Sequence, residues 1–387
     1  MLAHFPLEPG SVYLNHGTVG VTPLAVMRAR SAILDEIERH PARFMIRELM
    51  TLGMSEPPPS PRLRAAAARV GAFLGVDGDG VAFVDNATSA INAVVRSIEL
   101  APGDEILVHD QAYGGVVRAI AFLARERGAT MTRCALPFPA RAPEDFVVAV
   151  ERAITPRTRL ALLDHVGSET ALVMPLAAMA AACRSRGVAV LVDGAHAPGA
   201  IEVDIAALGV DWYAANLHKW AFAPRSCGVL WAAPERRDGL HPAVISWGVT
   251  NDDWLQEFDW TGTRDPTPWL CAPAAIDFLE NELGAAAMRA HNHALAWNGA
   301  IRLAARWQRP WQTPESMVGC MAAVPLPRRL DGADAQRVRD ALWFDHGIEI
   351  AVLARDGELW ARVSAQVYND DEDLERLADA VDALARR

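Results

Sequence analysis

The 387-residue chain has almost no lysine. Of 37 Lys and Arg residues only Lys219 is a lysine, which leaves 36 arginines. No Lys/Arg block occurs and the net charge is −11, so the chain offers no general electrostatic attraction to nucleic acid or to an anionic membrane. No apolar run approaches the ~20 residues of a membrane-spanning helix. The start MLAHFPLEPG lacks a basic region followed by an apolar one, so a cytoplasmic protein is expected. The five cysteines (134, 183, 227, 271 and 320) show neither CxxC pairing nor even spacing, which argues against a zinc ribbon or a disulfide framework. Buried, inert thiols are expected instead. The 11 histidines form no HExxH pair, and the HNH run at 291–293 would point around a helix, so it reads as surface and no metal site is expected.

What is present is an ordinary globular composition, 51% hydrophobic and 22% charged, with length enough for one large core and a smaller second domain. Continuous Val, Leu and Ile runs at 81–85, 105–110, 159–166, 188–195 and 211–216 read as strands buried on both faces. Helical periodicity near 87–99, 113–127, 143–154 and 175–186 alternates with them, which predicts a mainly parallel sheet covered by helices on both sides. Such sheets bind ligands at the carboxyl ends of their strands. The Pro-rich SEPPPSP (55–61) reads as a loop or extended spacer. Beyond about residue 270 the pattern changes to a long helical stretch (272–308), the apolar run 317–327, a helix at 333–345, two runs joined by the turn RDG (355–357), and a last helix at 371–386. That predicts a second, α+β domain with a hairpin closed by RDG.

Arginine replaces lysine wherever only positive charge is needed, but a guanidinium stays protonated and forms no imine, whereas a desolvated lysine amine attacks a carbonyl. The lone Lys219, in NLHKWAF, therefore reads as a nucleophile. VLVDGAH puts Asp193 at the end of an apolar strand, where a carboxylate needs a cation or donors to meet it. NATSAIN (86–92) places Asn86, Thr88 and Ser89 where a strand gives way to a helix, which suits a phosphate, although hydroxyl residues there also serve as plain N-caps. An amine, an anion cradle and a buried carboxylate are what an aldehyde cofactor with a phosphate and a protonatable ring nitrogen requires, and pyridoxal 5'-phosphate is that cofactor.

The chain resembles the fold-type I pyridoxal-phosphate enzymes of aminotransferase class V, in the isopenicillin N epimerase-like branch. The motifs that carry the resemblance are YLNHGTVG (13–20), NATSAIN, HDQAYGGV (109–116), DHVGSETALVMP (164–175), VDGAHAPG (192–199), WYAANLHKW (212–220), WTGTRD (260–265) and RVSAQVYN (362–369). The resemblance implies an α/β large domain (20–265) around a mainly parallel seven-stranded sheet, and a small α+β domain made of 1–19 and 266–387. It implies that Lys219 forms the imine and that Asp193 pairs with the ring nitrogen. His218, Ala87, Thr88 and Ser89 would hold the phosphate, His196 would lie near the phenolic oxygen, Tyr113 would stack on the ring, and Ser168 would complete the cofactor pocket. Gly262 and Thr263 would reach the phosphate of a second subunit, so a homodimer with shared sites is implied. Arg362 would hold a substrate α-carboxylate, with Asn15 and His16 bordering the substrate.

These residues leave the reaction open: epimerisation in the manner of the branch, transamination, elimination at Cβ, or a non-catalytic binding protein on the same scaffold. No cysteine lies between 321 and 361, and Cys320 starts an apolar run, which disfavours persulfide chemistry.

Overall fold

A computed structural model describes residues 1–50, 61–250 and 253–386. Most of SEPPPSP lies outside the described residues, and Pro61 stands at the start of a helix, Arg62–Leu74. The strands in chain order are β1 (Val12–Tyr13), β2 (Val81–Val84), β3 (Glu105–His109), β4 (Thr130–Cys134), β5 (Thr158–Asp164), β6 (Ala189–Asp193), β7 (Trp212–Asn216), β8 (Gly228–Ala232), β9 (Met321–Pro325), β10 (Ile348–Glu349), β11 (Ala351–Arg355) and β12 (Glu358–Ser364).

Seven of them form the large sheet in the order β2-β8-β7-β6-β5-β3-β4, with β8 antiparallel to both neighbours and the rest parallel. The expected seven-stranded, mainly parallel sheet is therefore present. The apolar runs of β5 and β6 are buried because helices cover both faces, and two separate apolar clusters fill the spaces above and below the sheet. Strands β4 and β8 were not read from the sequence. β4 (TMTRC) is an edge strand with exposed Thr130 and Arg133, so no apolar run marks it, and β8 follows β7 after a short turn rather than a helix.

Four parallel strands, β3, β5, β6 and β7, end on the same edge, in His109, Asp164, Asp193 and Asn216. Asp164 and Asp193 are direct neighbours in register. The connection from β2 turns at once into the helix Ala87–Ser97, capped by the Asn86 side chain on the Ser89 amide. The same edge therefore also carries a helix N-terminus.

The small domain has an antiparallel sheet β11-β12-β9 and a parallel pair β1-β10 that ties the N-terminal segment to it. The hairpin turns where expected, with Arg355 opposite Glu358 and positive φ at both Asp356 and Gly357. Its core draws on Val12, Leu14 and residues from 295 to 381. The expected boundary after residue 265 differs from the packing. Trp269, Cys271, Ile276 and Phe278 belong to the large apolar cluster, because the short helices from 267 to 277 pack on the helix Arg62–Leu74. The long helical stretch is broken at Gly284, with φ +72. The HNH reading is corrected: His291 is exposed, but Asn292 is fully buried and donates to Gln366 Oε1. All five cysteines are free and buried, and burial pushes each thiol up. Among the described residues no helix is long and apolar enough to cross a membrane.

Candidate active site

The strand ends and the helix start enclose a cavity of about 920 Å³, lined among others by Thr88, Ser89, Tyr113, Ser168, Asp193, His196, His218, Lys219 and Arg362. Ligand pockets typically span roughly 300–1,000 Å³, so a cofactor and a substrate can share it. Two other cavities, of about 450 and 390 Å³, contain no lysine.

Lys219 lies in the turn after β7, and Gly199 makes that turn possible. At φ +93 it passes so close to the turn that a Cβ would sit 2.3 Å from the Trp220 carbonyl oxygen. The amine Nζ stands 2.9 Å from His196 Nε2. Burial, with the Arg362 charge adding to it, lowers Lys219 to about 7, which favours the unprotonated, nucleophilic form near neutrality. Burial also holds His196 well below its ordinary value, so Nε2 accepts from the amine and Nδ1 is left with no partner. Asp193 is buried and accepts from the Ala195 amide at 3.0 Å. Burial and the adjacent Asp164 raise it to about 7. A carboxylate raised in this way is a base in need of a cation.

At the helix start the Ala87 amide donates to Asn216 Oδ1 at 2.8 Å and the Ser89 amide to Asn86 Oδ1 at 2.9 Å. The sequence reading gave Ala87 and Thr88 as joint backbone donors, but the structure leaves only the Thr88 amide and hydroxyl without a partner among the described residues. His218 donates through Nδ1 to the Cys227 carbonyl at 3.0 Å and is lowered to about 4 by burial. Tyr113 is about half exposed at the rim. Gly262 and Thr263 do not line the large cavity. They border the 390 Å³ cavity next to it, which shares Ser89.

Arg362 is 4% exposed, and its guanidinium donates only to neutral acceptors: the Ser168 carbonyl, Thr18 Oγ1, and Asn15 Oδ1 at 3.2 Å. Nε has no partner, and burial lowers the group to about 10. Asn15 and His16 are not among the residues that line the cavity; they stand behind it, against Arg362 and the Lys219 turn. Asn15 is fixed by Glu349 and Arg362. His16 is a fully buried clamp, with Nδ1 2.8 Å from the Tyr368 hydroxyl and Nε2 3.1 Å from the Lys219 carbonyl. Polar residues in an Asn-His-Gly turn can serve the backbone or other side chains, and here Asn15 holds side chains while His16 holds both a hydroxyl and the Lys219 carbonyl. The lining residues that the sequence reading missed include Thr18, Asp164 and Asn216. The latter two carry the signal that identified Asp193, a polar residue ending an apolar strand.

The residues fit a phosphorylated aldehyde cofactor. A single deprotonatable amine, an unpartnered His196 Nδ1, a raised carboxylate and a free helix-start donor all face one cavity. When bound, the cofactor supplies an electron sink for charge developing at a substrate Cα.

The family comparisons agree with this chemistry. The aminotransferase class-V family matches residues 60–377. The chain is 34% identical to an isopenicillin N epimerase of Streptomyces clavuligerus, over 98% of this chain and 96% of that one. It is 30% identical to a probable chloroplastic L-cysteine desulfhydrase of Arabidopsis thaliana, over 98% and 84%. Among solved structures, an apo cysteine desulfurase from Thermococcus onnurineus has the same fold at 18% identity, with a TM-score of 0.82 and coverage of 100% and 97%. The only lysine of the chain, poised in this cavity, is thus explained by descent as well as by geometry: the chain belongs to the aminotransferase class-V family, and is an enzyme dependent on pyridoxal 5'-phosphate.

Proposed function

We propose that the enzyme acts on the Cα of a substrate with an amino-acid head, and that its outcome is epimerisation like that of the Streptomyces clavuligerus relative. The observation that carries the head group is Arg362, a buried guanidinium in the cavity of Lys219 that hydrogen-bonds only neutral acceptors and forms no ion pair among the described residues, although Glu169 in the same lining acts on its charge. A buried cation without a counter-ion is costly, and a substrate α-carboxylate, held in a fork, relieves that cost. Lys219 would hold the cofactor aldehyde until a substrate amine takes its place, and its amine, once free, would move the Cα proton. Asp193 would keep the ring nitrogen protonated, and Thr88, Ser89 and His218 would hold the phosphate.

The site works in a homodimer on this reading. Gly262 and Thr263 sit beside rather than in the large cavity, with exposed Val244 in the same lining and exposed Ile245 and Trp247 following it in the chain, an apolar segment suited to a second copy. Across that segment the two residues would reach the other subunit's phosphate.

A second reading, elimination of a Cβ sulfur substituent, is favoured by the desulfhydrase relative at 30% identity. Persulfide transfer is not supported, because none of the five buried cysteines lines the cavity. Screening D- and L-amino acids in deuterated water by NMR separates these outcomes. Cα exchange with inversion supports epimerisation, a keto acid with aminated cofactor supports transamination, and pyruvate release supports elimination. No Cα exchange and no spectral change with any amino-acid head group refutes the proposal.

A further inference from the structure

We propose that Asp164 is a second carboxylate of this site, a positioning residue that acts through Asp193 and Lys219 and whose charge is switched in or out by the ring of His109. The proposal rests on the reading of Lys219 and Asp193 given above. Asp164 ends β5 exactly opposite Asp193 on β6 and lines the same cavity, yet is only 2% exposed. Two carboxylates side by side in a dry strand edge repel, and each holds a nearby cation more strongly than one alone would.

His109, at the end of β3 and equally buried, is the titratable side chain in hydrogen-bond reach of Asp164 among the described residues. Its Nε2 lies 3.1 Å from Asp164 Oδ1 and 3.2 Å from the Asp164 backbone nitrogen. One ring nitrogen cannot serve both. When Nε2 carries a proton it donates to Oδ1 and offsets the carboxylate. When it does not, it accepts from the amide, and Oδ1 stands bare. In the arrangement with the amide bond made, Asp164 Oδ1 and His109 Nδ1 both lack partners, which is a costly state unless a charge in the cavity uses it.

The groups facing this pair are few. Asp193 is beside it on β6, and Tyr213 on β7 donates to or accepts from His165 Nδ1 at 2.7 Å. From above come Lys219 with His196, and from the small domain Arg362. Asp164 raises both Asp193 and Lys219, His109 lowers Asp193, and Arg362 lowers Lys219. Asp164 thus favours a proton on whatever cation stands between the two carboxylates and the amine.

The lone lysine makes the test direct. Full-length protein labelled with ¹³C at the lysine Cε gives one lysine resonance, whose pH titration is followed before and after cofactor loading, beside the visible band of the loaded protein. Asp164→Asn is expected to lower the Lys219 midpoint by about one pH unit. His109→Gln is expected to raise it, because a neutral amide replaces a ring that can carry positive charge against Asp164. In the double variant the His109 change is expected to have no further effect, and Asp164→Glu to restore the wild-type midpoint. A merely structural pair changes the melting temperature without shifts of opposite sign. An Asp164→Asn midpoint equal to wild type, or His109→Gln acting equally with and without Asp164, overturns the proposal. Borohydride reduction followed by peptide mapping tests the underlying reading separately. If the cofactor is not fixed on Lys219 that reading fails, while the titrations still report on Asp164.

Discussion

Two arginines, Arg309 and Arg362, are both nearly free of solvent contact in the small domain, yet they are treated in opposite ways. Arg309 donates to the Leu326 carbonyl at 2.7 Å and pairs with Asp331 at 3.1 Å and Glu358 at 2.7 Å. Arg362, on the strand that faces the large domain, finds only a carbonyl, a hydroxyl and an amide oxygen. The first is a cation whose charge the fold neutralises. The second is a cation without an ion pair among the described residues, with Glu169 of the cavity lining acting on its charge, and on the function proposed above that charge is open to a substrate carboxylate. The contrast teaches that burial alone does not mark a functional charge.

The largest expected effect sharpens the functional side of that contrast. Lys219→Ala should remove the yellow band and lower turnover by about 10³-fold or more, since amine nucleophile and proton carrier are lost together. A visible band that survives the substitution and borohydride treatment refutes its role. Asp193→Asn should slow Cα exchange by roughly 10²–10³-fold while the cofactor still binds, because the phosphate anchor stays and the charge partner of the ring is lost. Turnover within a few-fold of wild type rules that role out.

The two arginines then separate in one pair of measurements. Arg362→Ala should reduce kcat/KM by about 10²-fold, chiefly through KM, and leave the melting temperature near wild type or above it, because a buried unpaired cation is removed. Arg309→Ala should do the reverse, lowering the unfolding free energy by about 2 kcal/mol with KM unchanged. Equal KM effects from both would erase the distinction.

The smallest effect concerns pH. Burial lowers His16 from its ordinary 6.5 to about 3, so between these values the unfolded chain binds the proton and the folded one does not. Stability carried by neutral His16 is therefore present above pH 6.5 and is lost as pH falls toward 3. His16→Asn should flatten that part of the stability profile without changing the profile above pH 7, which denaturant melts across pH 3–8 will show.

Much of the fold was legible because parallel strands buried on both faces must be apolar runs, and five such runs stand out, β5 and β6 most clearly. The edge strand β4 and the returning strand β8 were not, since an edge strand keeps polar residues and β8 has no crossover helix to announce it. In the site, Lys219 and Asp193 were legible from chemistry that no other residue type performs in those positions. The carbonyl contact of His16 was not legible, because a histidine in a turn looks the same whether it faces a ligand or a carbonyl, and only the fold of the N-terminal segment against the Lys219 turn sets that contact.

By itself the sequence determined the layer order, the amine, the buried carboxylate at a strand end and the family, because each depends on local pattern or on residue identity. Tertiary structure alone decided which polar strand ends become neighbours. Register between β5 and β6 sets Asp164 against Asp193, and the packing of the small domain brings Arg362 into the cavity at the edge of the large sheet with no ion pair among the described residues. Those pairings join residues far apart in the chain, and the energy of a buried charge is fixed by what stands within a few ångströms of it, a distance that no local pattern records.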